Sequence, residues 1–173
     1  AIGEANFSDH GGNRLGASAL MQGLADGYFI LPITIGDYLS KKFAEPKTDV
    51  NTKEFIEAEK AVEARIDRLF AIKGTKTVDS IHKKLGNIMW DNVGMARDEQ
   101  GLKDALKAIA ELKKDFYANV NVPGDKYEFN QELEKALRLE DFFEIGELMA
   151  RDALNRNESC GGHFRVESQT EEG

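Results

Sequence analysis

The sequence predicts an all-α protein in which three antiparallel helices form a bundle, with a loop and a helix before it and a helix with an extended tail after it. From Ala17 onward, apolar residues recur at spacings of three, four and seven, which is the pattern of an amphipathic helix. The alternation that is typical of a β-strand is negligible. Short polar turns separate the helical segments, and such turns favour antiparallel neighbours.

The composition excludes several classes of protein. The chain has 173 residues, one cysteine, three scattered histidines and a net charge of −8. A disulfide scaffold and a cysteine-based zinc module are therefore excluded. No apolar run reaches the ~18 residues of a membrane span, and the acidic balance argues against a nucleic-acid partner. We therefore expect a soluble intracellular protein. Because the chain begins with Ala1 and has no signal peptide, we expect it to be processed or excised from a longer one.

The first segment is a loop followed by a helix. Residues 1–16 are rich in Gly, Asn, Asp and Ser and show no period, which is typical of a loop with tight turns. A helix is predicted from about Leu15, with a bend or a restart at Pro32, which lacks a backbone N–H group. A polar linker, AEPKTDVNTKE, follows this helix.

Three amphipathic helices follow the linker and predict a spectrin-repeat-like bundle. The first ends at Gly74, the second begins near Thr77, and the third runs from Glu99 to about Tyr117. Each helix has one apolar stripe: Phe55, Val62, Ile66, Leu69 and Phe70 in the first, Val78, Ile81, Leu85, Ile88, Met89 and Val93 in the second, and Leu102, Leu106, Ile109, Leu112 and Phe116 in the third.

A last helix is predicted over residues 131–156, with a broad apolar face that packs back on the bundle. The tail after it contains a glycine pair and an acidic end without an apolar period. We expect this tail to be extended and partly disordered.

Reactive side chains are concentrated in the N-terminal loop, which contains Glu4, Asp9, His10, Asn13 and Arg14. An arginine just ahead of a helix can offer its planar fork to a carboxylate, and the first-turn N–H groups of that helix favour negative charge. An acid that follows a glycine, as Glu4 does, can accept hydrogen bonds from ribose hydroxyls. The loop indicates anion recognition, and the open alternative is an ordinary loop with solvated ion pairs.

Two motifs near the ends of the chain carry a resemblance to a known family. Gly3-Glu4 followed by His10-Gly-Gly-Asn-Arg-Leu-Gly-Ala-Ser-Ala-Leu20 resembles the GE…HGANRLG-x-x-[SA]-L segment of the flavoprotein subunits of succinate dehydrogenase and fumarate reductase. Arg156-Asn-Glu-Ser-Cys-Gly-Gly-His-Phe-Arg165 resembles the R-x-ESRG-x-H-x-R run near the C-terminal end of these subunits. The helical domain between the two motifs of the family agrees with the predicted bundle.

The resemblance implies an FAD-dependent interconversion of succinate and fumarate, in which the cofactor supplies the redox chemistry. It implies that Arg14 binds a substrate carboxylate, that Glu4 binds the FAD ribose, and that the backbone N–H groups of Ala19 and Leu20 approach the isoalloxazine. It assigns no catalytic residue and no metal ligand to this chain. The implied partners are an iron–sulfur subunit and membrane anchor subunits at the cytoplasmic face of the plasma membrane.

The same resemblance predicts three domains: residues 1–45 as a remnant of the FAD-binding domain, residues 46–122 as the bundle, and residues 123–173 as the C-terminal helix and tail. A glycine-rich dinucleotide loop, a flavin-linked histidine and a capping domain are expected upstream in the family and are not in this sequence. We therefore expect the isolated chain to lack flavin and activity. Its apolar residues from Ala17 to Leu31 are expected to mediate self-association.

Three positions depart from the family pattern. Gly12 replaces an alanine, Ala19 replaces a serine, and Cys160 replaces an arginine that could anchor the tail. His10 is expected to order the loop, while His82, Cys160 and Trp90 are expected to be structural or inert. Two alternative functions stay open: an L-aspartate oxidase, which has a similar HGANR loop, and a free-standing helical interaction module.

Overall fold

The computed structural model describes residues 1–6, 10–11 and 14–170. It confirms the predicted all-helical class. The chain divides into two compact units, of which the first contains Ala1–Val50 with Cys160–Gly162 and the second contains Asn51–Ser159 with the segment that begins at His163. The predicted domain limits at residues 45 and 122 stay a prediction.

The helical part of the first unit runs from Ser18 to Ser40 in three consecutive pieces. Helix α1 spans Ser18–Ala25, a π-helical turn spans Asp26–Ile30, and helix α2 spans Leu31–Ser40. The wider turn lies directly before Pro32, which has no N–H to continue the α-helical ladder. The predicted irregularity at this proline is therefore present as a π turn. No helix in the described part of the chain is long and apolar enough to cross a membrane.

The second unit contains the four longest helices and four two-residue strands. The helices are α3 (Lys53–Ala71), α4 (Val78–Val93), α5 (Glu99–Asn119) and α6 (Gln131–Asn155). Side-chain caps fix three of the starts, because Thr77, Asp98 and Asn130 accept hydrogen bonds from the backbone N–H groups of Ser80, Gly101 and Leu133. The caps lie beside the starts of α4, α5 and α6, which the apolar periodicity predicts to within one residue.

The core of the bundle lies between α4, α5 and α6. The C-terminal helix packs against both α4 and α5, so it forms part of the bundle itself. Phe116 of α5 and Phe143 of α6 meet with ring centroids 5.6 Å apart, and both are fully buried. The other large side chains that are fully buried in this unit are Leu69, Val78, Ile81, Leu102, Ile109, Leu139 and Val120.

Helix α3 lies against α6 and is held there by a buried acid. Glu140 of α6 is 5% exposed and accepts hydrogen bonds from Arg65 and Arg68 of α3, the second over 2.8 Å. The hydrogen bond to Glu140 raises the pKa of Arg65. Burial, followed by the hydrogen bond to Glu140, raises the pKa of Tyr117, and Arg68 lies 4.7 Å from the centre of the Tyr117 ring.

Two short parallel strand pairs close the two ends of the bundle. Strand β1 (Lys76–Thr77), before α4, pairs with β3 (Val120–Asn121), after α5. Strand β2 (Ala96–Arg97), between α4 and α5, pairs with β4 (Phe164–Arg165) of the tail. The expectation that strands are negligible missed these pairs, because two residues are too few to show a period.

The tail is extended at Phe164–Arg165, as predicted, but the disorder expected for part of it is not found in residues 163–168. His163 and Arg165 are only 4% and 3% exposed, and Ser168 donates to the carbonyl of Arg165. Strand pairing and side-chain hydrogen bonds to distant residues fix this segment in place, and neither leaves a local signal in the sequence.

Candidate functional site

The turn that carries Glu4 is anchored on helix α1. Gly3, which has a positive φ of 60°, donates its N–H to Asp26 Oδ2 over 2.7 Å, and Gln22 Nε2 donates to the carbonyl of Asn6 over 3.0 Å. Gln22 and Asp26 are four residues apart and lie on one face of the helix. Sequence reasoning missed these two anchors, although a polar pair at this spacing within an apolar helix is a usable signal.

The structure brings two of the predicted site residues together. Arg14 Nε lies 3.3 Å from Glu4 Oε1, and the side chains are 43% and 60% exposed. A second guanidinium nitrogen of Arg14 donates to the carbonyl of Leu15 over 3.3 Å. This is the solvated ion pair that the alternative interpretation of the loop expected, and it leaves donors of the guanidinium accessible to solvent.

Helix α1 begins at Ser18, four positions after this arginine. Ala17 precedes the helix with a φ of 64°, and it is the one non-glycine residue with a positive φ in the described part of the chain. Such a conformation costs about 1–2 kcal/mol for a residue with a Cβ. Ala19, which is half-buried, and Leu20, which is exposed, lie in the first helical turn, where backbone N–H groups have no intrahelical acceptor.

His10 is placed near the middle of the loop. Its Nε2 atom is buried and has no hydrogen-bond partner among the described residues. The expected role of His10 in ordering the loop stays a prediction. Asp9, Gly12 and Asn13 lie outside the described residues.

The helical part of the first unit presents a large apolar surface. The exposed side chains are Leu20, Met21, Leu24, Tyr28, Phe29, Ile30, Ile33, Ile35, Tyr38 and Leu39. A helix that is apolar on most sides is normally buried in a larger protein. The first unit thus combines an exposed arginine and carboxylate, a helix N-terminus and an exposed apolar helix surface, which suits an anion with an attached apolar group.

The second sequence motif has a structural role in the second unit. Nη1 of Arg165 donates to the carbonyls of Ala153, Leu154 and Arg156 over 3.0, 3.2 and 3.0 Å, so it caps the C-terminal end of α6. Glu167 accepts from the backbone N–H of Glu99 over 2.6 Å at the start of α5. This hydrogen bond is the main cause of the lowered pKa of Glu167.

His163 and Arg97 connect the tail to the end of α4 as well. Arg97 Nε donates to the carbonyls of Val93 and Gly94 at the end of α4, and its Nη1 lies 2.8 Å from His163 Nδ1. Burial, followed by the charge of Arg156, lowers the pKa of Arg97. We call Arg97 with residues 163–167 the clasp, because together they bind the ends of α4, α5 and α6. Cys160, where the family has an arginine, is exposed and free, and the clasp docks without that arginine.

Comparisons with known proteins agree with the two motifs. Residues 82–172, just over half of the chain, match a family model described as the fumarate reductase flavoprotein C-terminal region. The chain is 29% identical to a fumarate reductase flavoprotein subunit of Haemophilus influenzae, over 96% of this chain and 27% of that protein. It is 33% identical to an FAD-dependent oxidoreductase of Methanocaldococcus jannaschii, over 95% of this chain and 28% of that protein.

Solved structures show the same similarity. The Mycobacterium smegmatis Sdh1 complex in its apo form contains a chain that matches with a TM-score of 0.81 and 30% identity, over 97% of this chain and 27% of that one. An E. coli quinol fumarate reductase matches with a TM-score of 0.77 and 26% identity, over 99% of this chain and 29% of that one. The chain thus spans less than a third of the length of these relatives, and it belongs to the family of fumarate reductase and succinate dehydrogenase flavoprotein subunits, whose C-terminal region it matches.

Proposed function

We propose that this chain is the C-terminal part of a flavoprotein subunit that interconverts succinate and fumarate. The observation that carries the proposal is the accessible Arg14 between the Glu4 turn and the N-terminus of α1, in a chain of this family. A dicarboxylate presents two planar anionic groups, and a guanidinium is the side chain that matches one of them with two parallel hydrogen bonds.

Arg14 is the proposed substrate-binding residue. Its ion pair with Glu4 is exposed, and exposed pairs contribute only about 0–1 kcal/mol. A substrate carboxylate can therefore replace the Glu4 carboxylate at the guanidinium at little energetic cost. Glu4 is then released toward a ribose, whose hydroxyl groups are hydrogen-bond donors that suit a carboxylate acceptor.

The residues in the first unit fit one part of an FAD molecule. Glu4 would hold the ribose, the first-turn N–H groups of Ala19 and Leu20 would face the isoalloxazine edge, and the apolar side chains of α1 would exclude water. When bound, FAD supplies the acceptor for the hydride of the substrate. The N-terminus of α1 would stabilise negative charge on the bound flavin, and Arg14 would orient the substrate. The sequence has no glycine-rich phosphate loop after a strand, so we expect the isolated chain not to retain FAD.

The proposed partners of the longer subunit are an iron–sulfur subunit and membrane anchor subunits, with the assembly at the cytoplasmic face of the plasma membrane. The support is family membership together with the quinol fumarate reductase among the similar structures. For the isolated chain we propose self-association through the apolar surface of α1 and α2, because nothing in the described part of that unit buries it.

The test uses the longer flavoprotein subunit with and without Arg14→Lys, numbered as in this chain. Lysine keeps the charge and loses the two-pronged geometry, so turnover of succinate should fall by at least about tenfold, the equivalent of one charged hydrogen bond, while flavin stays bound. Arg138→Lys, at an exposed ion pair on α6, is the matched control and should leave turnover unchanged.

Undiminished turnover in Arg14→Lys would contradict the proposed role. Turnover of L-aspartate in place of succinate would assign the chain to the aspartate oxidase alternative. A protein without flavin and without either activity would favour the helical interaction module.

A further inference from the structure

Within the clasp, the imidazole of His163 links Arg97, at the end of α4, to the carbonyl of Arg156, at the end of α6. His163 is 4% exposed, and its Nδ1 lies 2.8 Å from Arg97 Nη1. A guanidinium has only donors, so Nδ1 must be the acceptor. The proton then resides on Nε2, which lies 3.2 Å from the carbonyl of Arg156 and donates to it. The Nε2–H form of the neutral ring satisfies both contacts.

A proton on Nδ1 would convert this contact into two donors that face each other. It would also place a second positive charge beside Arg97, on a ring that is only 4% exposed, so the two like charges would repel each other. The hydrogen bond between Arg97 and His163 is therefore compatible with only one charge state of the ring.

Two carboxylates of the tail are each paired with an arginine, whereas the exposed Asp152 of α6 has no side-chain ion pair among the described residues. Arg156 pairs with Glu158 over 2.8 Å, and Arg165 pairs with Glu167 over 3.2 Å. Asp152 of α6 acts electrostatically on Arg97. The charged groups of the elements packed around His163 are thus Arg97 from β2, Asp152 and Arg156 from α6 and its end, and Glu158, Arg165 and Glu167 from the tail.

We propose that His163 is an acid-sensitive lock, and that its protonation releases the tail from the ends of α4, α5 and α6. Release separates β4 from β2 and removes Arg165 from the carbonyls at the end of α6. The buried core between the helices contains none of these groups, so the bundle stays folded while the tail opens. Histidine suits this role because its charge changes more readily near neutral pH than that of any other side chain.

The experiment places a nitroxide spin label on the tail of the full chain. Cys160→Ser removes the one cysteine of the sequence, and Val166→Cys provides an exposed attachment point whose backbone N–H pairs with Arg97 in the closed tail. The pH is lowered from about 8 to about 5, which stays above the ordinary range of carboxyl groups. The mobile component of the label's electron paramagnetic resonance spectrum should grow by up to about tenfold per pH unit, which is the limit for one linked proton. The circular dichroism signal of the helices should stay constant over the same range.

His163→Gln keeps an acceptor and a donor but does not titrate, so the label should stay immobile across the whole range. His82→Gln, at a histidine on the surface of α4 that stacks on Phe142, is the matched control and should retain the acid transition. Equal mobility of the parent label at both pH values, or an unchanged transition in His163→Gln, would overturn the proposal.

If His163→Gln leaves the tail open already at pH 8, that variant cannot test the proposal, and Arg97→Gln tests it instead. Glutamine retains a donor for the ring but carries no charge, so the acid transition should shift to lower pH or vanish. A transition identical to that of the parent would show that Arg97 and His163 do not form the lock. Loss of helical signal together with the label transition would also contradict it, because the opening would then be global.

Discussion

Glu140 shows how one buried side chain can join elements that are far apart in sequence. It connects α6 to Arg65 and Arg68, which lie more than 70 residues earlier on α3. No periodicity predicts it, because an acid on the apolar side of a helix looks like an error in the pattern until its partners are known.

We expect Glu140→Ala to lower the free energy of unfolding by about 2 kcal/mol, measured by urea denaturation at neutral pH. Removing one partner of a fully buried pair costs about 3–5 kcal/mol, but both arginines are partly exposed and regain water. Glu144 lies on the same helix as Glu140 and forms an exposed ion pair with Lys113 of α5. Glu144→Ala should therefore cost less than about 0.5 kcal/mol. Equal losses in the two variants would contradict a structural role for Glu140.

Asp115 makes the free energy of unfolding depend on pH. Lys76 donates to its Oδ1 over 2.6 Å, and Asn119 donates to the same atom over 2.7 Å. These hydrogen bonds, that of Lys76 first, lower the pKa of Asp115. A folded-state pKa below the unfolded one contributes stability at neutral pH, and that contribution is lost as the pH falls through the lowered value.

We therefore expect Asp115→Asn to cost about 1 kcal/mol at pH 7, the upper end for a partly exposed pair. The cost should be smaller at a second pH below the ordinary range of carboxyl groups, because the pKa of the parent carboxyl is lowered. Urea denaturation at the two pH values measures the difference. Glu134→Gln, at an exposed pair on α6, serves as the control for a general effect of lost charge. A cost for Asp115→Asn that is the same at both pH values would refute the assignment.

At the scale of elements, Gly74 determines how the connection from α3 enters β1. A Cβ built on this residue would lie 1.8 Å from the carbonyl oxygen of Asn119, so any side chain forces the two backbones apart. We expect Gly74→Ala to destabilise the protein by about 2 kcal/mol or more, the usual cost of overpacking, as measured by thermal or urea unfolding.

Gly86→Ala is the matched control, because nothing lies within 4 Å of its Cβ position in the interior of α4. Alanine is the better helix former by about 1 kcal/mol, so this variant should be more stable than the parent. The two glycine substitutions should thus have opposite signs. Two substitutions of the same sign would show that the backbone approach at Gly74 is not tight.

The sequence predicts the elements where the cause is local and misses them where it is distant. The starts of α4, α5 and α6 are predicted by their apolar stripes, and the structure adds the neighbouring caps Thr77, Asp98 and Asn130. The docked tail depends on partners of Arg165 and His163 that lie up to 66 residues away. In the site, Arg14 and Glu4 could be named from their motif, whereas their contact depends on how α1 anchors the turn.

At the scale of the whole molecule, the two units differ in how much apolar surface they expose. The second unit has its own buried core, whereas the first has no buried residue in its described helices. Since a helix that is apolar on most sides needs a cover, the first unit depends on contacts with other chains or with further sequence.

We expect the isolated chain to associate in a concentration-dependent manner, measured by sedimentation equilibrium, through the exposed side chains of α1 and α2. The double variant Leu24→Glu with Phe29→Glu should weaken association by at least about tenfold, because two unpaired charges would have to enter an apolar interface at a cost of several kcal/mol. Val62→Glu, which places the same charge at an exposed apolar position on α3, should leave association unchanged.

A parent chain that stays monomeric at all concentrations, or a Val62→Glu variant that weakens association equally, would contradict an interface on the first unit. Because neither glutamate in the double variant lies in the core of the second unit, its unfolding transition should match that of the parent, which separates lost association from lost folding.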